Sequence, residues 1–178
     1  KEWRTMLKKK TTTIVVRIMV FTVSMVCALT GCATQDIETD GGHKIKIVTT
    51  TTMLTDLTKN IGGEAVEVIG LMGSVIDPHV YQASAGDVNK MQDADIIVYN
   101  GLHLEGKMGE VFQSLENNGK TVICIGDGLD KEKLLQTKDE DIYDPHIWFD
   151  VKTWQDAAQY LATELALADV ENKDIYAT

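Results

Sequence analysis

The sequence contains few cysteines, prolines and aromatic residues: three Cys and two Pro in 178 residues, with aromatic side chains making up 6% of the chain. Three cysteines cannot build a disulfide scaffold, and two prolines exclude a proline-rich linker. So few aromatic rings argue against a platform on which nucleic-acid bases stack. The 17 basic residues are outnumbered by 27 acidic ones. The resulting net charge of −10 leaves no basic face for phosphate backbones, so the sequence predicts no nucleic-acid binding.

Signature motifs of common enzyme classes are also missing. The chain has no Gly-x-Ser-x-Gly nucleophile elbow, no complete phosphate loop ending in Gly-Lys-Ser/Thr and no His-Glu-x-x-His zinc motif. With 44% hydrophobic and 25% charged residues, the composition is that of a globular protein. We therefore expect a folded domain that is not an enzyme.

Residues 1–31 have the pattern of a secretory signal peptide. They hold six basic residues and one acidic residue, and the lysines at 8–10 precede an apolar run at 18–29. That run is shorter than the roughly 20 residues that a membrane-spanning helix needs. It ends at Leu29-Thr30-Gly31-Cys32, which resembles a bacterial lipobox, whose cysteine accepts lipid. An ordinary signal peptide with a chance cysteine is the alternative.

The lipobox reading predicts three things about this end of the chain. Residues 1–31 are the signal peptide, Cys32 is the lipidation site, and residues 32–43 form a flexible polar tether. The mature protein would then be anchored by lipid to the cell membrane, on its extracytoplasmic face.

Strand and helix patterns alternate through residues 44–170. Short runs rich in β-branched residues predict four strands, at 44–48, 65–71, 96–99 and 121–125. Apolar residues at helical spacing predict helices between and after them, at 53–61, 84–93, 104–115 and from Asp150 onward, with a further helix beginning near Glu171. This alternation is typical of an α/β fold with a parallel four-stranded sheet flanked by helices.

Two of the four histidines lie in the same local sequence, Asp77-Pro78-His79 and Asp144-Pro145-His146. Proline fixes its own φ and restricts the preceding residue, so each tripeptide is a stiff turn. Each follows a predicted strand, and ligands of open α/β sheets bind beyond the carboxyl ends of the strands. The imidazoles are therefore candidate metal ligands, with two structural turn histidines as the alternative. Each aspartate could accept a ring N–H or cap its own turn.

Three blocks of the sequence, in this order, resemble one family, the metal-receptor group of solute-binding lipoproteins that serve ABC transporters for manganese, zinc or iron. The blocks are Asp77-Pro78-His79-Val80-Tyr81, the segment from Ala94 to Glu105, and Asp144-Pro145-His146-Ile147-Trp148. The resemblance implies two α/β lobes joined by a long helix, with the metal between them. It implies that His79 and His146 are metal ligands from the N-terminal lobe.

By the same resemblance, residues 44–170 form the N-terminal lobe, residues 171–178 begin a truncated linking helix, and the C-terminal lobe with the remaining ligands is absent. The implied partners are an ABC permease and its ATPase, and the protein is expected to be a monomer. His103 and Glu105, in the second block, are expected to have structural roles.

The expected cargo is a divalent transition metal. Imidazole with anionic oxygen ligands suits Mn²⁺, Zn²⁺ or Fe²⁺. Zinc-specific members of the family often carry a histidine-rich acidic insertion, whereas the acidic stretch 127–144 contains no histidine. This favours manganese. Two other functions stay open: a surface adhesin with the same anchor, and a metal-dependent hydrolase with Glu105 as the base.

Overall fold

The computed structural model describes residue 3, residues 44–138 and residues 142–177. Apart from residue 3, the predicted signal peptide, the lipidation site Cys32 and the tether lie outside the described residues, and so do three acidic residues at 139–141. Among the helices that are described, none is both long and apolar enough to cross a membrane.

Four parallel strands form one sheet: β1 (Ile45–Thr49), β2 (Val66–Gly70), β3 (Ile96–Tyr99) and β4 (Thr121–Cys124). The strand order is β2-β1-β3-β4. Each strand lies within a residue or two of the range predicted for it, because alternating β-branched residues are a strong local signal. The predicted α/β class with a parallel four-stranded sheet is confirmed.

Helices connect the strands and follow the last one: α1 (Thr52–Gly62), α2 (Ala85–Asp93), α3 (Gly109–Asn117), α4 (Val151–Ala168) and α5 (Lys173–Tyr176). Short 3₁₀ turns occur at Gly63–Ala65, Ile125–Gly128, Lys131–Lys133, Ile147–Phe149 and Val170–Asn172. The predicted cap of α2 is present: Ser84 Oγ accepts from the backbone N–H of Asp87, and the Asp87 side chain accepts from the backbone N–H of Ser84. Asp150 caps α4 in the same way, by accepting from the N–H of Lys152.

Apolar side chains cover both faces of the sheet. Successive strand residues point to opposite faces, so Ile47 and Val48 enter different clusters. One cluster packs the sheet against α4, and its fully buried members include Ile47, Val98, Ile125, Ala157, Leu161 and Leu165. The other packs it against α2 and α3, through Val48, Ile97, Met91, Met108 and Phe112. Helices therefore flank both faces, which leaves the strand ends as the exposed edges of the sheet.

The strand order contains a switch point between β1 and β3. After β1 the chain forms β2 on one side, and it then returns to place β3 on the other side of β1. The loops that follow β1 and β3 therefore leave in opposite directions from the carboxyl ends of these strands. Thr50 and Asn100, the first residues after the two strands, lie there and are fully buried.

Candidate metal site

The two histidines of the Asp-Pro-His turns meet at one edge of the molecule. Their Nε2 atoms are 3.4 Å apart, although the residues are separated by 67 positions in sequence. The ring centroids are 5.3 Å apart and the ring planes are tilted by 56°. His79 is exposed and His146 is partly buried. The structure thus places two imidazole nitrogens side by side at a surface that solvent reaches.

The two aspartates make different hydrogen bonds in the two turns. Asp77 accepts from the backbone N–H of His79 over 2.9 Å, which caps the turn. Asp144 accepts from the backbone N–H of His146 over 3.0 Å and also contacts ring atom Nδ1 over 2.6 Å. These bonds from His146 hold the pKa of Asp144 below its ordinary value. A ring that donates through Nδ1–H leaves the Nε2 lone pair free for a metal.

We predict unequal effects of removing the two aspartate charges. Asp144→Asn is expected to weaken Zn²⁺ binding by about 10–100-fold, since the bond that orients the His146 ring is lost. Asp77→Asn is expected to change affinity by less than about threefold, because an amide oxygen can still cap the turn. Chelator-competition titration of the two variants measures both values. Equal losses in the two variants would contradict the difference in role.

Two aromatic side chains lie beside the His146 ring. The His146 ring packs edge-on against Trp148 with centroids 5.3 Å apart, and it lies 6.4 Å from the Phe149 ring. Phe149 is nevertheless 80% exposed. His146 therefore lies beside an apolar, solvent-facing rim formed by the Trp148 and Phe149 rings.

The loop that carries His79 is anchored to α2. The Tyr81 hydroxyl, two residues further on, donates to Asp87 over 2.8 Å. Burial and this carboxylate raise the pKa of Tyr81 to about 12. Burial alone would raise the pKa of Asp87, but hydrogen bonds from Ser84, Lys90 and Tyr81 outweigh it and hold that pKa well below its ordinary value. Asp87 thus stays ionised and secures both the helix cap and the loop.

A second carboxylate, that of Glu105, lies at the switch point and is only 4% exposed. Its Oε1 accepts from the Thr50 hydroxyl over 2.6 Å and from the Asn100 N–H over 2.9 Å. Its Oε2 accepts from the Gly101 N–H over 3.1 Å. The carboxylate therefore joins the ends of β1 and β3, and we call this group of four residues the Glu105 clasp.

The predicted start of one helix, next to the Glu105 clasp, is wrong. Helical spacing over 104–115 predicted a helix from Leu104, but α3 begins at Gly109. Three consecutive residues have positive φ: Gly101 at 77°, Leu102 at 52° and His103 at 65°. This left-handed backbone conformation is incompatible with a right-handed α-helix. Glycine is needed at 101 for a further reason, since a Cβ would collide with Cys124 Sγ. Leu104 and Met108 are buried as the pattern requires, but in a loop.

The same loop contains an incomplete phosphate-loop motif. Gly101, Gly106 and Lys107 match Gly-x-x-x-x-Gly-Lys, but Met108 stands where that motif requires Ser or Thr. The backbone N–H groups of Asn100 and Gly101, which would face a phosphate, bind the Glu105 carboxylate instead. With three donors and almost no exposure, Glu105 is a structural group and is unsuited to act as a hydrolytic base.

Among the described residues, two imidazoles and no further candidate ligand come together at this edge. Across residues 44–138 and 142–177, no group of three or more His, Cys, Asp or Glu side chains is arranged to hold a metal ion. His103, the third described histidine, is exposed on the left-handed loop and takes no part in the pair. Cys124 is a free thiol whose pKa burial raises to about 11, so it is a poor metal ligand at neutral pH.

Comparison with known protein families identifies the group to which this architecture belongs. The family model described as "Zinc-uptake complex component A periplasmic" matches residues 47–178, which include both Asp-Pro-His turns. The chain belongs to this family. Its members are metal-receptor solute-binding proteins of ABC transporters and are not enzymes, so the resemblance inferred from the three blocks is confirmed.

Individual relatives within the family bind different metals. The manganese-binding lipoprotein MntA of Bacillus subtilis is 36% identical over 149 residues, which are 84% of this chain and 48% of MntA. The zinc-binding protein TroA of Treponema pallidum is 45% identical over 120 residues, 67% of this chain and 38% of TroA. The chain thus spans about half the length, or less, of the curated relatives it matches.

Solved structures of the family contain the same fold. The periplasmic zinc-binding protein TroA from Treponema pallidum superimposes with a TM-score of 0.71 at 40% identity, covering 75% of this chain and 48% of TroA. Fe(III)-bound YtgA from Chlamydia trachomatis superimposes with a TM-score of 0.65 at 31% identity, covering 75% of this chain and 46% of YtgA. Partial coverage of these longer chains fits a single lobe.

Proposed function

We propose that this protein captures a divalent transition metal through His79 and His146 and delivers it to an ABC permease and its ATPase. The metal is cargo. In this proposal Cys32 carries the lipid that anchors the protein to the outer face of the cell membrane, residues 1–31 are the removed signal and residues 32–43 are the tether. Residues 44–170 act as the N-terminal metal-binding lobe of a monomer.

The observation that carries the proposal is the 3.4 Å between the two Nε2 atoms. Two metal–nitrogen bonds of about 2.1 Å at the tetrahedral angle hold their nitrogens about 3.4 Å apart. The two Nε2 atoms therefore have the separation expected of two ligands of one ion.

Two imidazoles are half of a four-coordinate sphere. Structural zinc sites use four protein ligands, and transport sites must also enclose the ion. The relatives are about twice as long as the matched region, as MntA shows with 48% of its length covered. We propose that the remaining ligands come from a second lobe, to which residues 171–178 would lead. The apolar rim around Phe149 is the surface that such a lobe would cover.

The choice of cargo rests on chemistry and on sequence together. Imidazole ligands bind Zn²⁺ more tightly than Mn²⁺ in solution, so affinity alone would favour zinc. The acidic stretch between Asp127 and Asp144 lacks histidine. We propose manganese as the cargo, with zinc or ferrous iron as the alternatives. The net charge of −10 favours attraction of any of these cations.

The proposal is tested by following the histidine ring signals of the 178-residue chain by NMR. Adding Zn²⁺ is expected to shift the signals of His79 and His146, and adding Mn²⁺ to broaden them, because the ion binds at both Nε2 atoms. The ring of His103 is the internal control for the Zn²⁺ titration and its signals should not shift, and chelation with EDTA should restore the spectrum. A metal response confined to other residues, or none in this pair, would refute the proposal.

A further inference from the structure

The peptide bond between Pro145 and His146 is held at both of its polar ends. Asn100 Nδ2 donates to the Pro145 carbonyl oxygen over 3.0 Å. The N–H of His146 donates to Asp144, also over 3.0 Å. Because a peptide unit is planar, bonds to its oxygen and to its hydrogen together fix the orientation of the plane. The Cα of His146 lies in that plane, so these bonds determine where its side chain begins.

Asn100 is itself held from several directions. Its backbone N–H donates to Glu105, and its carbonyl oxygen accepts from the Gly126 N–H over 2.9 Å. Its Nδ2 also donates to the Gly101 carbonyl oxygen over 3.2 Å. Both partners of Nδ2 are carbonyl oxygens, which settles which end of the amide is nitrogen. The residue is 0% exposed, so this amide is a rigid support between the switch point and the second Asp-Pro-His turn.

The amide is not present for stability alone. Its Oδ1 is buried and has no hydrogen-bond partner among the described residues, which costs free energy. Both carbonyl oxygens that it contacts have a second donor: the Ile147 N–H reaches Pro145 and the Leu104 N–H reaches Gly101. An apolar side chain of similar size would therefore leave neither carbonyl unpaired. A costly amide that the fold could replace indicates a positional role.

We propose that Asn100 is a positioning residue for His146, an inference that rests on the proposed role of the imidazole pair. Asn100 does not contact the metal. It keeps the Pro145–His146 peptide in the plane that brings His146 Nε2 to His79. Among the described residues the matching Pro78–His79 peptide is bonded only at its N–H, to Asp77, so the support is specific to the second turn.

The test uses the full 178-residue chain with Zn²⁺ as the probe. Asn100→Leu keeps the number and branching of the side-chain heavy atoms but donates nothing, and it is expected to weaken Zn²⁺ binding about tenfold or more while melting close to the wild type. Asn100→Asp keeps the shape and turns an oxygen toward two carbonyl oxygens, so its loss should be at least as large. In the metal-free chain, the nuclear Overhauser effect between the rings of His79 and His146 should be lost in both variants.

A matched control separates positioning from stability. Leu115→Ala removes a buried side chain from the apolar cluster that packs the sheet against α2 and α3, on the face of the sheet opposite to Ile147. It should lower the melting temperature and leave Zn²⁺ affinity unchanged. Wild-type affinity in Asn100→Leu, together with an intact ring-to-ring effect, would overturn the proposal. If the wild type itself fails to bind Zn²⁺ at the pair, the proposed function fails, but the ring-to-ring effect in the metal-free chain still decides the positioning.

A measurement on the wild type decides the case if both variants fail to fold. The side-chain amide protons of Asn100 should exchange with solvent far more slowly than those of Asn118, an exposed asparagine whose Nδ2 donates to the Ser114 carbonyl oxygen. Equally fast exchange would show that the Asn100 bond to Pro145 does not persist in solution, and the proposal would be wrong.

Discussion

His79→Ala and His146→Ala are each expected to weaken Zn²⁺ binding by about a hundredfold or more. Binding free energies of about 10–16 kcal/mol for four-ligand zinc sites assign roughly 2.5–4 kcal/mol to each ligand. Since the two Nε2 atoms are 3.4 Å apart, the ion needs both of them, and either substitution leaves a single nitrogen. The double variant should lose the contributions of both ligands, so its loss should exceed that of either single variant. Isothermal titration calorimetry or chelator competition measures these affinities.

His103→Asn is the matched control for this series. His103 is an exposed histidine of the same chain, and asparagine tolerates its positive φ of 65°. Its Zn²⁺ affinity should equal that of the wild type. A wild-type affinity in either alanine variant would remove its histidine from the site.

The strands and the imidazole pair were predictable from the sequence because each depends on local information. The β-branched run Ile45-Lys46-Ile47-Val48 specifies a strand wherever it lies, and parallel strands bring their carboxyl ends to one edge. Each Asp-Pro-His turn is stiff by itself. Two such turns at one edge can converge, which the structure shows and the spacing of 67 positions alone did not.

The link from the Glu105 clasp to β1 could not be predicted, because Asn100 and Gly101 are near Glu105 in sequence but Thr50 is distant. Thr50 is 55 positions away, and its hydroxyl becomes a partner only when β1 and β3 lie side by side. Helical spacing from Leu104 onward correctly indicated burial but not backbone conformation, since a buried loop can have the same apolar pattern. The one available signal was a Glu within an apolar segment, which must be paired if it is buried.

The hydrogen bond from Asn100 to Pro145 could not be predicted from the sequence either. It joins residues 45 positions apart, and nothing near Asn100 in the sequence points to the second turn. Tertiary contacts between a switch point and a loop are the part of a site that pattern reading omits. Here those contacts support the histidines, while the histidines themselves were evident from local sequence.

Glu105→Ala is expected to cause the largest loss of stability of any single substitution at the clasp, about 3–5 kcal/mol in the free energy of unfolding. Removing the carboxylate leaves three donors without a partner, the Thr50 hydroxyl and the N–H groups of Asn100 and Gly101, and each buried unpaired group costs about 1–3 kcal/mol. A domain of this size has only about 5–15 kcal/mol in total. Urea denaturation measures the change.

Two opposing effects decide how Glu105→Gln compares with the alanine variant. Burial raises the pKa of Glu105, which shows that the fold has a cost for keeping this group charged, and a neutral amide removes that cost. The amide keeps one oxygen acceptor but turns its NH₂ group toward a backbone N–H, so one donor loses its bond. We therefore expect about 1–2 kcal/mol of destabilisation, less than for alanine.

Glu110→Ala is the control variant. Glu110 is an exposed residue in the first turn of α3, so its substitution should cost less than about 1 kcal/mol. If Glu105→Ala unfolded at the same urea concentration as Glu110→Ala, the carboxylate would not be holding β1 and β3 together. The bond from the Asn100 N–H to Glu105 would then not be what holds Asn100 rigid.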